Sequence, residues 1–238
     1  LEEELQRDLR STLAEVEQFA LGEYTLALMR GNALPAAQRR AVAQKVARYT
    51  GLSTEYVEQT NLRINISRFV KELMRDERKT VGRLDSRFTG IDRDAAGERY
   101  DYDPSYAAIQ GPYTGALGAY LRADLKYDND IPYEILTDRV RPWSYAEFEN
   151  RYVNTAEDLR AAMTQNPSLK VFVGSGYYDL ATPYFATDYT FDHLAFEPDY
   201  IARVTTEYYE AGHMMYVHMP SLEKLKRDLN AFIASAVP

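Results

Sequence analysis

The chain has 238 residues, 45% of them hydrophobic, with a net charge of −8 and no cysteine. That length suits one large domain or two small ones, and the apolar content is that of a folded chain. The acidic balance argues against a nucleic-acid partner, and no apolar run is long enough for a membrane span; the lack of cysteine excludes disulfides, thiol catalysis and cysteine-ligated zinc.

Residues 1 to about 76 read as helical throughout. Leu5, Leu9, Leu13, Val16, Phe19 and Ala20 recur at spacings of three and four, which makes one apolar stripe. Gly31-Asn32 ends that stretch, and Pro35 suits the first position of a new helix that Ala41, Val42, Val46 and Tyr49 continue until Gly51. Ser53 or Thr54 caps a short helix, and a further amphipathic stretch runs from about Asn65 to Arg75. From Thr80 to Asp103 the pattern dissolves into a long irregular segment with Gly82, Gly90 and Gly97. Asp103-Pro104 restarts helix, which Gly111-Pro112 is expected to kink. Pro132-Tyr133-Glu134-Ile135-Leu136 reads as a short strand. Then follow a helix from Thr155 to near Asn166, strand 169–174, helix 182–194, strand 203–209 and a last helix from Ser221 to about Ala234. This final alternation is what the end of a doubly wound sheet looks like.

Two apolar strands end in loops that each carry one ionisable residue: Asp179 after Gly176-Tyr177-Tyr178, and His213 after Glu210-Ala211-Gly212. In α/β-hydrolases the triad runs serine, acid, histidine, each just past a strand. The acid and the histidine stand here in that order, 34 residues apart, which leaves room for one helix and one strand. An imidazole can take a proton from a serine and return it to a leaving amine near neutral pH, and a carboxylate orients it. No Gly-x-Ser-x-Gly elbow precedes the pair. Ser175 has glycines at ±1 and not ±2 and shares a strand with Asp179, so Gly174-Ser175-Gly176 reads as a site of close backbone packing. Glu210, His213 and His218 lack metal-ligand spacing, and no metal is assigned. His193 suits a helix C-terminus. Among 20 tyrosines, Tyr177 and Tyr178 flank Asp179, and with Met214 they are the candidates for an apolar substrate cleft; Met215 joins them as a pocket residue. Arg63, Arg83 and Arg87 are candidates for holding a carboxylate.

The same residues carry a resemblance. Gly176-Tyr177-Tyr178-Asp179-Leu180-Ala181-Thr182-Pro183 resembles the acid motif of the serine carboxypeptidases, and Ala211-Gly212-His213-Met214 is similar to their histidine motif. Val81-Gly82-Arg83-Leu84-Asp85-Ser86-Arg87-Phe88-Thr89-Gly90 resembles the bacterial carboxypeptidase-related branch. The resemblance covers essentially the whole chain. The departure from the family is large: the Gly-Glu-Ser-Tyr-Gly elbow, oxyanion hole and carboxylate-binding residues belong to an N-terminal half that is not in this sequence.

The resemblance implies an α/β chain holding part of an α/β-hydrolase fold: a mainly helical cap over residues 1–130 and the last strands and helices of the doubly wound core over 131–238. It implies a serine-type carboxypeptidase that removes C-terminal residues from peptides with no cofactor. Asp179 and His213 would come from this chain, and the serine from a partner half outside it. The sequence opens on Leu1-Glu2-Glu3 with neither Met nor a signal-like segment, so the true N-terminus is expected upstream, and the resemblance tilts the protein towards the periplasm or secretion. A sheet cut before its central strands exposes edges, so the lone chain is expected to pair with its other half, form homo-oligomers or aggregate. Two alternatives stay open: a non-catalytic helical binding domain with vestigial motifs, and an esterase or acyltransferase on the same scaffold.

Overall fold

Asp8 opens the part of the chain that the computed structural model describes, residues 8–237. Its carboxylate accepts the Arg10 N–H at 3.2 Å and caps helix α1 (Leu9–Phe19). The apolar stripe continues through a π-helical turn (Ala20–Tyr24) into α2 (Thr25–Arg30). Leu5, the first position of the expected stripe, lies outside the described residues. Pro35 falls just before α3 (Ala36–Thr50), not inside it, and Gly51 ends α3 at φ 77°, a conformation that suits glycine. Ser53 and Asn65 accept the Tyr56 and Arg68 N–H groups and so cap α4 (Thr54–Gln59) and α5 (Ile66–Glu72). Ala27, Val42, Ala43, Val46, Val57 and Leu62 of these elements form one buried cluster. The irregular stretch holds a two-residue antiparallel pair, β1 (Thr80–Val81) with β2 (Thr89–Gly90). Lys71 of α5, buried, is paired with the buried Asp92.

These elements make up the first of two compact units, the chain up to Val81 with Thr89–Asp101. The second unit takes Gly82–Phe88 and everything from Tyr102 onward. The break expected near residue 130 is not where the chain divides. The reason is that the loop 82–88 makes its hydrogen bonds with residues far along the sequence.

In the second unit Asp103 caps α6 (Pro104–Ala119), accepting the Ser105 N–H at 2.9 Å. The helix runs on through Pro112, the expected kink, and into a π-helical turn (Tyr120–Asp124). Residues 132–136 do not form the expected strand. Pro132 has no N–H to donate, and among the described residues no strand lies alongside to pair with them. Helix α7 (Ala156–Gln165) ends under the guanidinium of Arg203, whose Nη1 donates to the carbonyls of Met163, Asn166, Pro167 and Leu169 at 2.9–3.3 Å. One side chain thus satisfies a helix end and fixes the turn into the next strand.

That strand, β3 (Val171–Gly176), pairs in parallel with β4 (Val204–Tyr209), in register from Val171 opposite Val204 to Gly176 opposite Tyr209. It runs two residues further than its expected end. Helices α8 (Tyr184–Asp192) and α9 (Pro198–Ile201) form the crossover that a parallel pair requires. Helix α10 (Met219–Ala236) packs on the sheet, with Phe172 and Phe232 rings 5.4 Å apart. The described chain is therefore a mixed helix-and-strand protein with two sheets of two strands each.

Candidate functional site

Because β3 and β4 run side by side in register, the loops that follow them leave the sheet at the same end. Asp179 lies three residues past Gly176, and His213 four past Tyr209. The two loops touch through backbone: the Tyr177 N–H donates to Tyr209 O and the Tyr178 N–H to Ala211 O, both at 3.0 Å. The approach needs glycine twice. A β-carbon on Gly176 would lie 2.3 Å from Gly212 O and 2.4 Å from Ala211 O, and one on Gly212 would lie 2.3 Å from Leu84 O. Ser175, between Gly174 and Gly176, is buried and paired opposite Tyr208 within the sheet. It has no elbow geometry.

Asp179 and His213 meet. His213 Nδ1 lies 2.8 Å from Asp179 Oδ2. The carboxylate is 5% exposed while the imidazole is 44% exposed, so the acid is sheltered and the base is reachable. Asp179 is fully occupied: Oδ1 accepts the Ala181 and Thr182 N–H groups at 2.7 and 2.9 Å, and Oδ2 accepts the Thr182 hydroxyl at 2.7 Å besides the imidazole. A carboxylate only accepts, so Nδ1 carries the proton, and Nε2 is left for chemistry. Thr182 also lies 3.1 Å from His213 Nδ1. The sequence reading missed this residue, although an Asp followed by amides two and three positions on is a recognisable local turn.

A second missed feature is the bridging role of the loop 82–88, whose Arg83 and Arg87 the sequence marks out: it joins the acid loop to the histidine loop. Leu84 O accepts the His213 N–H at 2.7 Å, and Arg83 O accepts the Leu180 N–H at 3.0 Å. The Ser86 N–H donates to Tyr178 O at 2.9 Å. Asp85, 1% exposed, accepts the Gly212 N–H at 3.1 Å and binds Arg87 in fork fashion, at 3.0 and 2.7 Å. Arg87 in turn donates to Glu210 O at 2.9 Å and lies over the Tyr178 ring. The bonds to Asp85 push the Arg87 guanidinium still further up from its ordinary value. The loop itself hangs from α6: Asp103 and Ser105 accept the N–H groups of Arg83, Leu84 and Asp85, each at 3.2 Å.

The pair opens onto a cavity of about 780 Å³. Tyr106, Ile109 and Tyr113 of α6 line it together with Met214 and Tyr216, and His213, Thr182 and Arg83 supply its polar groups. Met214 is thus on the cavity as expected. Tyr177 and Tyr178 are not. Tyr177 is stacked on Tyr208, with ring centres 5.7 Å apart, and set edge-on to Tyr184; Tyr178 lies under Arg87, so both rings are spent on holding the acid loop. Met215 packs near Gly174 and does not line the cavity. Of the three arginines, Arg87 is taken by Asp85, and Arg63, in the first unit, donates to the carbonyls of Leu28 and Asn61. His193 and His218 are bound locally, to Tyr189 O at 2.7 Å and Ser221 Oγ at 2.8 Å. Among the described residues no three His, Asp or Glu side chains are grouped to hold a metal ion, and no helix is long and apolar enough to cross a membrane.

No protein-family model matches the chain, and neither a curated protein nor a solved structure matches it.

Proposed function

We propose that this chain supplies the acid and the histidine of a serine carboxypeptidase-like hydrolase on an α/β-hydrolase core, with the nucleophilic serine contributed from outside this sequence. The observation that carries the reading is the 2.8 Å bond between a buried, fully hydrogen-bonded Asp179 and a reachable His213 at the ends of adjacent parallel strands. An apolar cavity beside His213 supports it. In this reading His213 Nε2 takes the serine hydroxyl proton as the serine oxygen bonds to the peptide carbonyl carbon. The C–N bond then breaks, and the same proton leaves on the amine. Water reverses the sequence: it gives a proton to His213 as its oxygen bonds to the acyl carbon, the ester bond between that carbon and the serine oxygen breaks, and His213 returns the proton to the serine oxygen as the acid leaves. Asp179 holds the Nδ1–H tautomer and stabilises the imidazolium, which is why its four hydrogen bonds matter.

Fluorophosphonate labelling of the full-length protein, resolved by mass spectrometry, tests this. The expected adduct lies on a serine outside these 238 residues and is lost in His213→Ala. An adduct on Ser175 would overturn the outside nucleophile, and no adduct on the full-length protein would overturn the hydrolase.

A further inference from the structure

Arg83 stands on the cavity wall with His213 and Thr182. Its backbone is tied on both sides, with the N–H to Asp103 and the carbonyl to Leu180. Its guanidinium is different: among the described residues no hydrogen bond or ion pair is assigned to it. Arg87, in the same loop, is by contrast engaged by Asp85. Arg83 is half-buried and shares the cavity lining with Tyr106, Ile109, Tyr113 and Met214, and a guanidinium with no protein partner favours a planar anion that accepts two N–H bonds.

We infer that Arg83 is the anion anchor of this cavity and that its ligand is a carboxylate carrying an apolar side chain. The apolar wall from Tyr106, Ile109, Tyr113 and Met214 takes the side chain, and Arg83 takes the carboxylate. The inference rests on the hydrolase reading for one point only, which end of a substrate is held: the group that departs from His213 is then an amino acid with a free carboxylate. Arg83 is a specificity residue in this scheme and moves no proton.

Calorimetric titration of the full-length protein with 3-phenylpropionate and with 3-phenylpropionamide tests it without any need for turnover. The acid should bind at least about tenfold more tightly than the amide, a difference of one charge-assisted pair. Arg83→Gln should bring the two within about twofold, and Arg83→Lys should keep part of the preference, because a point charge replaces the fork. The Arg83 side chain makes no bond that folding depends on, so these variants keep the wild-type melting temperature. Equal binding of acid and amide by the wild type, undiminished preference in Arg83→Gln, or no binding of the acid would each overturn the anchor. The two ideas fail separately. Acid-selective binding without serine labelling leaves an anion site and removes the hydrolase, whereas labelling without acid selectivity does the opposite.

Discussion

The Thr182 hydroxyl sits 2.7 Å from Asp179 Oδ2 and 3.1 Å from His213 Nδ1, between the carboxylate and the imidazole of the proposed pair. Its loss would leave Asp179 with two backbone donors and the imidazole. On the proposed hydrolase reading, Thr182→Val in the full-length protein should lower kcat by about tenfold to a hundredfold, the worth of one hydrogen bond to a charged group, with KM little changed. Asp179→Asn should be far worse, about 10⁴ in kcat, because the amide favours the wrong imidazole tautomer. Steady-state kinetics on one ester substrate rank the two, and a Thr182→Val variant as poor as Asp179→Asn would show that Thr182 does more than position the carboxylate. Asp179 and His213 could be picked out from the sequence because each follows a short apolar run. Thr182 could have been found only through the Asp179 turn it closes, and Asp85 not at all, since its partner Gly212 is 127 residues away.

At the scale of elements, helix α10 is tied to strand β4 by a polar cluster. Tyr209 donates to Asp228 at 2.8 Å, and Lys224 reaches Asp228 at 2.8 Å and Glu207 of the strand as well. Burial alone would push Asp228 up, but the bonds from Lys224 and Tyr209 outweigh it and hold the carboxyl below its ordinary 3.8. A depressed folded-state value stabilises the fold above the unfolded pKa and stops doing so as pH falls through the folded one. Chemical denaturation should therefore show stability falling below about pH 4. In Asp228→Asn that acid limb should be shallower, and an unchanged limb would remove Asp228 from the account. Burial, aided by Asp228, pushes the Tyr209 phenol up, so it stays a neutral donor throughout.

The same elements show what local pattern can and cannot reveal. Caps at Ser53, Asn65 and Asp103, the stop at Gly51 and both parallel strands follow from neighbours a few residues away. The bonds of the loop 82–88 do not, for Asp85 meets Gly212 across 127 residues and Arg87 meets Glu210 across 123. Residues 132–136 fail in the opposite way. Their composition suits a strand, but a strand is a relation between two segments, and among the described residues no second segment pairs with them.

For the whole molecule, the contrast lies between the stitched loops at the sheet end and the stretch from Leu125 to Val153. That stretch holds only short 3₁₀ turns, Asp138–Val140 and Ala146–Phe148, and most of its large apolar side chains stand in solvent, Tyr152 at 95% and Trp143 at 69% exposure, while Ile135 and Leu136 line the cavity. Few buried contacts and few backbone bonds mean a low local opening energy. Limited proteolysis by a broad-specificity protease should cut within 125–153 before anywhere else among the described residues, as mass mapping of the first fragments would show. First cuts inside α3 or β4 would contradict this ranking.

Trp143 is the one tryptophan in the chain, and it belongs to that exposed stretch. The intrinsic fluorophore is thus already in water when everything else is folded. Indole emission will start red and change little on denaturation, so a fluorescence melt of this protein reports almost nothing about the site. Circular dichroism, or an indole placed by Tyr106→Trp on the cavity wall, is the signal that follows the structure around His213.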